Sequence, residues 1–318
     1  SSSACHHGLS SKHFFPIPYS PPTAKKPMIN RQKDMADKKN ILQRDAFLFW
    51  ITCLFLCIQI QATPLSMPLE ILLTFIILIG ISHGATDFLI LKKHSNPIFI
   101  PCFKYIGIAI MAILFWIACP LIGLTCFLII SAYHFGCDWE KGELAILQSG
   151  MGLICIPLYY HPNATLEILN LISDKHANLS FLVTGSSPIF YLSVLMTLYR
   201  LLHKKWLHLE YLSLLVLGKY LHPLTFFTLY FCTLHSVRHI NHYARHHTLA
   251  KKDIFALIAT SFTSWCLLIL FSSLITQDLK NVDLHDYLRP LFIFIFSITI
   301  PHMLLAIKTK RHHRQQTD

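Results

Sequence analysis

Charged side chains are scarce in this chain. Asp, Glu, Lys and Arg make up 14% of its 318 residues against 53% hydrophobic residues, and mean hydropathy is +0.49. That balance excludes an ordinary water-soluble domain and suits a polytopic membrane protein. No C-x-x-C occurs, and nine of the ten cysteines, Cys53 through Cys266, lie in or at the ends of apolar runs. This argues against a disulfide or zinc framework and for small packing residues. There is no clear internal repeat of the kind a transporter with related halves would carry, and no cleavable signal. The net charge of +11 would fit nucleic acid, but Lys and Arg fall in short clusters between apolar runs and not along one amphipathic face, so no nucleic-acid partner is expected.

What is present is a series of apolar runs at roughly 46–62, 69–91, 98–119, 120–137, 144–160, 188–202, 206–221, 223–240, 254–276 and 287–307. About 20 helical residues cross a bilayer, so the third and fourth runs are two helices turning near Pro120 and Gly123. The seventh, carrying His208, Glu210 and Lys219, is the weakest. The predicted fold is all-α, a bundle of about eight to ten spanning helices with both termini cytoplasmic. With the N-terminus inside, nineteen Lys and Arg, among them Lys92, Lys93, Lys141, Arg200, Arg245, Lys251 and Lys308, fall on the inner side. Only Lys175, Lys219, Lys280 and Arg289 fall outside. Residues 1–40, rich in Ser, Pro, Lys and His, read as a disordered extension, with Met28 or Met35 as the expected start. Residues 46–310 read as one membrane-embedded catalytic domain and 311–318 as a polar cytoplasmic tail.

This topology brings His83, His134, and the pair His235 and His239 to the inner ends of their helices at one depth. The i, i+4 spacing of the last two sets both imidazoles on one helix face, where they can share an ion. Neutral imidazoles at membrane depth need partners, and metal ligation supplies them. His302 lies at a similar depth. Asp87 and Asp138 each follow a histidine, His83 and His134, by one helical turn, where a carboxylate can hold the second ring nitrogen of a ligand. Gly84 and Gly136 would admit a close ligand or helix. Imidazole ligation suits Fe, Zn, Cu or Ni, with Fe(II) the natural choice for oxygen chemistry.

The runs Gly80-Ile-Ser-His-Gly-Ala-Thr-Asp87, Ser131-Ala-Tyr-His-Phe-Gly136, Pro223 to His239 ending in His-Ser-Val-Arg-His, and Ile300-Pro-His-Met303 resemble the hallmark segments of the Brp/Blh family of membrane β-carotene dioxygenases, in order and spacing. The likeness covers about residues 46–310. It implies an integral membrane enzyme of the bacterial inner membrane that cleaves the central double bond of β-carotene with O₂ into two molecules of retinal. It also implies Fe(2+) held by His83, His134, His235 and His239. The retinal could pass to a rhodopsin. His302 matches a family feature without an assigned role.

A hydrocarbon substrate partitions into membrane lipid and can reach such a site laterally. Phe88, Tyr133, Phe135, Trp139, Phe226, Phe227, Tyr230 and Phe231 are candidates to line its tunnel. Arg238, beside His239, either pairs with Asp87 or Asp138 across the bundle, as three preceding turns of apolar helix favour, or snorkels to the cytoplasmic boundary. Together with these two aspartates and His302 it forms a candidate set supporting the ligands. A membrane di-iron desaturase or hydroxylase is the nearest rival. His242, His246 and His247, however, lie among Arg245, Lys251 and Lys252 and read as surface residues. A transporter or haem carrier is the non-enzymatic alternative. Oligomeric state is not legible.

Overall fold

The computed structural model describes residues 46–59, 67–94, 97–173, 179–246, 250–275 and 284–315. The extension 1–40 lies outside them, as do residues 316–318 of the tail. The described residues are helical, with no strand. The first run forms α1 (Phe47–Gln59). The second forms α2 (Leu69–Phe75), a π-helical segment Ile76–Ile81, a 3₁₀ turn Ser82–Gly84 and α3 (Ala85–His94). Next come α4 (Phe99–Ala118) and α5 (Pro120–Gly136), separated by the single residue Cys119. Pro120 is at the first turn of α5, where its missing N–H costs nothing.

After α6 (Glu143–Tyr160) the chain turns at His161 into α7 (Pro162–Ile172), a short amphipathic helix that the apolar runs do not announce. The helices α8 (Ser180–Leu202) and α9 (His208–Leu217) follow. The eighth run divides into α10 (Pro223–Thr228), a second π-helical segment Leu229–His235 and α11 (Ser236–His246). The chain then continues with α12 (Lys251–Ile275) and α13 (Leu288–Gln315).

Among the described residues six helical stretches are long and apolar enough to cross a membrane: 69–93, α4, α6, α8, α12 and 288–309. The helices α5 and α9 are apolar but shorter. With 10 residues, α9 rises about 15 Å, half the hydrocarbon thickness of about 30 Å. Large apolar side chains such as Phe103, Met111, Phe255 and Ile269 face outward, as lipid-facing surfaces require.

In the bundle α5 packs on α6, α6 on α8, α4 on α13 and α3 on α12. Small residues set the tightest of these contacts. A Cβ at Gly136 would overlap the Ile146 carbonyl, and one at Gly150 would overlap that of Ala132, so α5 and α6 meet backbone to backbone along two turns. Between α4, α5 and α13 the gap is filled by rings: Trp116 lies edge-on to Phe296 at 5.0 Å and tilted to Phe127 at 5.9 Å. Lys92 approaches Asp253 at 3.8 Å, which sets the end of α3 and the start of α12 at one end of the bundle.

The α5–α6 contact gives a direct test. Gly150→Val should destabilise the detergent-solubilised protein by about 3 kcal/mol. Gly142→Val, where a Cβ meets nothing within 4 Å, should change it by no more than about 0.5 kcal/mol. Thermal midpoints that fall equally in both variants would show that the helices have room to part.

Candidate metal centre

Four histidines from three parts of the chain meet inside the bundle. His134 comes from the last turn of α5, His235 from the end of the second π segment, His239 from α11 and His302 from the middle of α13. The rings of His134 and His235 have centroids 4.6 Å apart, those of His134 and His302 5.0 Å, and those of His239 and His302 4.8 Å. His83 occupies the 3₁₀ turn between the first π segment and α3; its side chain lies outside the described residues. Both π segments, one running into the turn that carries His83 and the other ending at His235, have the wider i→i+5 turn, which changes the direction of the residues that follow from that of an unbroken α-helix.

Each of two imidazoles is held by a carboxylate. His235 Nδ1 lies 3.1 Å from Asp138 Oδ2, and His302 Nδ1 lies 2.9 Å from both Asp87 oxygens. An ionised carboxylate only accepts, so Nδ1 donates in both pairs and the lone pair belongs to Nε2. Each carboxylate also takes a tyrosine hydroxyl: Tyr230 donates to Asp138 Oδ2 at 2.6 Å, and Tyr105 donates to Asp87 Oδ2 at 2.9 Å. Asp87 is 3% exposed, so without these donors its charge would be costly at membrane depth.

The placements of Asp138 and Arg238 differ from sequence expectation. Asp138, expected at His134 one turn before it, lies against His235 because the turn after α5 directs it across to the π segment. Asp87 accepts from His302; the side chain of His83, at which it was expected, lies outside the described residues. Arg238 pairs with Glu210 of α9, not with an aspartate: Nη2 meets Glu210 Oε2, while the aspartate oxygens are engaged by Tyr and His donors. Glu210 and His208, the polar residues that made the seventh run look weak, are thereby both accounted for. His208 Nε2 lies 3.1 Å from Glu140 Oε1, which Arg200 Nε also meets at 2.8 Å. Glu140 thus ties the turn carrying Asp138 to α8 and α9.

The His134 and His235 Nε2 atoms face each other at 3.0 Å. With Nδ1 of His235 committed to Asp138, its Nε2 lone pair can face another ring nitrogen this closely only if a proton or a cation lies between them. Imidazole nitrogens bind a metal at about 2.0–2.1 Å, so neighbouring ligands on one ion stand about 3 to 3.4 Å apart. The facing pair fits that spacing, and carboxylates on the far ring nitrogens are the usual support of ligating histidines. Among the described residues no group of three or more His, Cys, Asp or Glu side chains is placed to hold a metal ion, and the side chain of His83 lies outside them. Thr86 Oγ1 lies 3.4 Å from His239 Nδ1.

Beside the histidines lies an apolar cleft of about 120 Å³, bounded by α5, α6, α7, α10, the second π segment and α13. Phe135, Phe226, Phe227 and Tyr230, four of the eight aromatics singled out in the sequence, line it together with Phe127 and Phe292. Phe135 and Tyr230 also touch the His235 ring, at 5.0 and 6.0 Å between centroids, so cleft and histidines share a wall. Phe231 stacks on His235 and Trp139 on Tyr230. Phe88 and Tyr133 are not part of the lining.

The sequence profile described as beta-carotene 15,15'-dioxygenase matches residues 74–308. The chain belongs to this family. A curated relative named beta-carotene 15,15'-dioxygenase, from uncultured marine bacterium 66A03, is 27% identical over 274 residues, covering 76% of this chain and 94% of its own length. No solved structure matches the chain.

For a member of the β-carotene 15,15'-dioxygenase family, the residues that sequence reasoning missed are instructive. Tyr105, in the middle of α4, carries no local signal; only the approach of α4 to α13 brings it to Asp87 and to the Ile298 carbonyl at 3.3 Å. Glu210 was visible as a charge in an apolar run, which at membrane depth calls for a buried partner. Of the rival ligands, His242 is exposed, and His247 and the side chain of His246 lie outside the described residues. Gly84 meets nothing within 4 Å, whereas Gly136 serves helix contact.

The Arg238–Glu210 pair predicts a non-additive cycle. Arg238→Ala leaves a buried carboxylate without its counter-charge and should cost about 3–5 kcal/mol, whereas Arg238→Met with Glu210→Leu should regain most of it. Unfolding midpoints in detergent measure both, and losses that simply add would show the two groups to be independent.

Proposed function

We propose that this chain is a membrane-embedded, iron-dependent dioxygenase that cleaves the central double bond of β-carotene with O₂ to give two molecules of all-trans-retinal. The observation that carries this reading is the meeting of imidazoles with carboxylate-held rings against a wall shared with an apolar cleft, in a chain of the β-carotene 15,15'-dioxygenase family. His83, His134, His235 and His239 are the proposed Fe(II) ligands. The geometry around His134 and His235 suits that role, and His83 enters through its motif. Bound Fe(II) supplies the activation of O₂ beside the polyene.

The chain's own contributions are binding, orientation and dryness. Phe135, Phe226, Phe227 and Phe292 offer flat apolar faces to a conjugated hydrocarbon, and the cleft has few polar atoms to hold water. Asp138 fixes the ring of His235 so that Nε2 points toward His134. Because the cleft lies among helices that face lipid, β-carotene enters from the bilayer without crossing water. The proposed setting is a bacterial inner membrane with both termini cytoplasmic. The Lys92–Asp253 approach supports it by placing two of the inner basic clusters at one end of the bundle. The product would pass to a retinal-binding protein such as a rhodopsin.

Expression in β-carotene-producing cells tests the reading. Colour should fade as retinal accumulates, and the purified protein should hold one iron per chain. His235→Ala or His134→Ala should abolish both iron retention and bleaching while the protein stays in the membrane. Two irons per chain would favour a di-iron desaturase or hydroxylase, and unchanged pigment with iron-loaded protein would overturn carotene cleavage.

A further inference from the structure

Two arms of identical composition reach the histidine cluster. One runs Tyr230–Asp138–His235, with contacts of 2.6 and 3.1 Å; the other runs Tyr105–Asp87–His302, with contacts of 2.9 and 2.9 Å. In the first arm Tyr230 and His235 share the second π segment and Asp138 comes from the turn after α5; in the second the members come from three helices, α4, α3 and α13. In both, the carboxylate accepts a hydroxyl and a ring N–H. In both, the imidazole so fixed lies beside His134, at centroid distances of 4.6 and 5.0 Å.

We propose that His302 belongs to the metal-holding set on the same footing as His235, and that Tyr105 and Tyr230 are positioning residues that fix the two rings through Asp87 and Asp138. The proposal rests on the iron-dependent reading above.

Burial and tautomer carry the argument. His302 is 4% exposed and Asp87 3% exposed, on helices whose other buried residues are mostly apolar. A carboxylate–imidazole pair in such a place is a poor way to pack two helices, since apolar side chains of similar volume would do so without desolvating a charge. The pair does one thing that apolar packing cannot: it commits Nδ1 as donor and leaves a lone pair on the opposite edge of the ring. His302 is flanked by His134 and His239, at 5.0 and 4.8 Å, so the ring that Asp87 holds stands among the other imidazoles. The tyrosines complete each arm. A carboxylate with one donor can swing about it, whereas one held by a second donor on a rigid ring keeps its heading, and the imidazole with it. Tyr105 is braced further by the Ile298 carbonyl at 3.3 Å on the same helix as His302. Tyr230 is clamped between Trp139 and Phe135.

The experiment compares purified wild type with His302→Ala, His302→Gln, Tyr105→Phe and Tyr230→Phe. Each is loaded with Fe(II), challenged with a chelator and assayed for retained iron. Each is also substituted with Co(II) and examined by its visible ligand-field absorption. Tyr159→Phe is the control: its hydroxyl meets Tyr191 at 2.7 Å, near the far end of α6 from the Gly136–Ile146 contact, about 20 Å along the helix.

Both His302 variants should lose iron as His235→Ala does and alter the Co(II) spectrum. The two Tyr→Phe variants, which remove one oxygen each, should bind iron about 10–100-fold more weakly. They should also keep KM for β-carotene within about twofold, since the Tyr230 ring that lines the cleft is retained and Tyr105 is not part of the lining, and Tyr159→Phe should match wild type. Should His302→Ala fail to accumulate, the Gln and Tyr→Phe variants decide the matter. Wild-type iron retention and an unchanged Co(II) spectrum in a folded His302 variant would remove His302 from the set, and chelator resistance unchanged in both tyrosine variants would remove the positioning role. If wild type itself holds no iron, the proposed function fails and this inference with it.

Discussion

A carboxylate inside a lipid-facing bundle keeps its charge only where donors converge on it, and the organisation of this protein follows from two such carboxylates. Asp87 gathers Tyr105 and His302, and so fastens α3, α4 and α13; Asp138 gathers Tyr230 and His235, and so fastens the turn after α5 to the second π segment. Helices that are otherwise apolar against apolar lipid have little to choose one register over another. A buried aspartate that must find its donors supplies that choice. The same interactions that order the bundle also orient the imidazoles, so stability and chemistry draw on the same few hydrogen bonds.

Around this centre the remaining polar groups form an outer brace. Glu140, two residues after Asp138, meets Arg200 and His208, and Arg200 Nη1 also donates to Ser149 Oγ at 2.9 Å. Arg238, one residue from His239, meets Glu210. The brace draws on α6, α8, α9 and α11, and α9 belongs to the bundle for this reason more than for any capacity to span. On the other side of the histidines, the close contact of α5 with α6 and the rings of α10 and α13 bound the apolar cleft. Polar and apolar halves meet at Tyr230, whose ring lines the cleft and whose hydroxyl holds Asp138.

Much of this was legible in sequence, and for identifiable reasons. Long apolar runs give helix positions to within a few residues: the run 98–119 became Phe99–Ala118 and 120–137 became Pro120–Gly136. Matched depth grouped His83, His134, His235 and His239, with His302 at a similar depth; the structure brings His134, His235, His239 and His302 together, and the side chain of His83 lies outside the described residues. What was not legible is which partner each side chain takes. Helical spacing pointed Asp138 to His134, yet Tyr230 and His235 across the bundle took its Oδ2, and nothing in the spacing announced that Tyr105 and His302 would meet Asp87. Local periodicity describes one helix at a time, whereas the pairing depends on rotation and tilt set by contacts such as Gly136 on Ile146. For the same reason α7, amphipathic and only 11 residues long, escaped a search for long apolar runs, and Tyr105 was one tyrosine among twelve.

The two π-helical stretches, Ile76–Ile81 and Leu229–His235, make the protein sensitive to chain length. Each residue along an α-helix turns the next by about 100°, so shortening Leu229–His235 by one position, far from any loop, would rotate everything beyond it by more than a quarter turn relative to what precedes it. His235 and His239 would keep their mutual spacing and lose Asp138, His134 and His302 together. A span that presents only apolar side chains to lipid would lose no such partners by the same rotation. Here the wide turns act as counters, and the tally of residues between Tyr230 and His239 is as much a part of the centre as the side chains themselves.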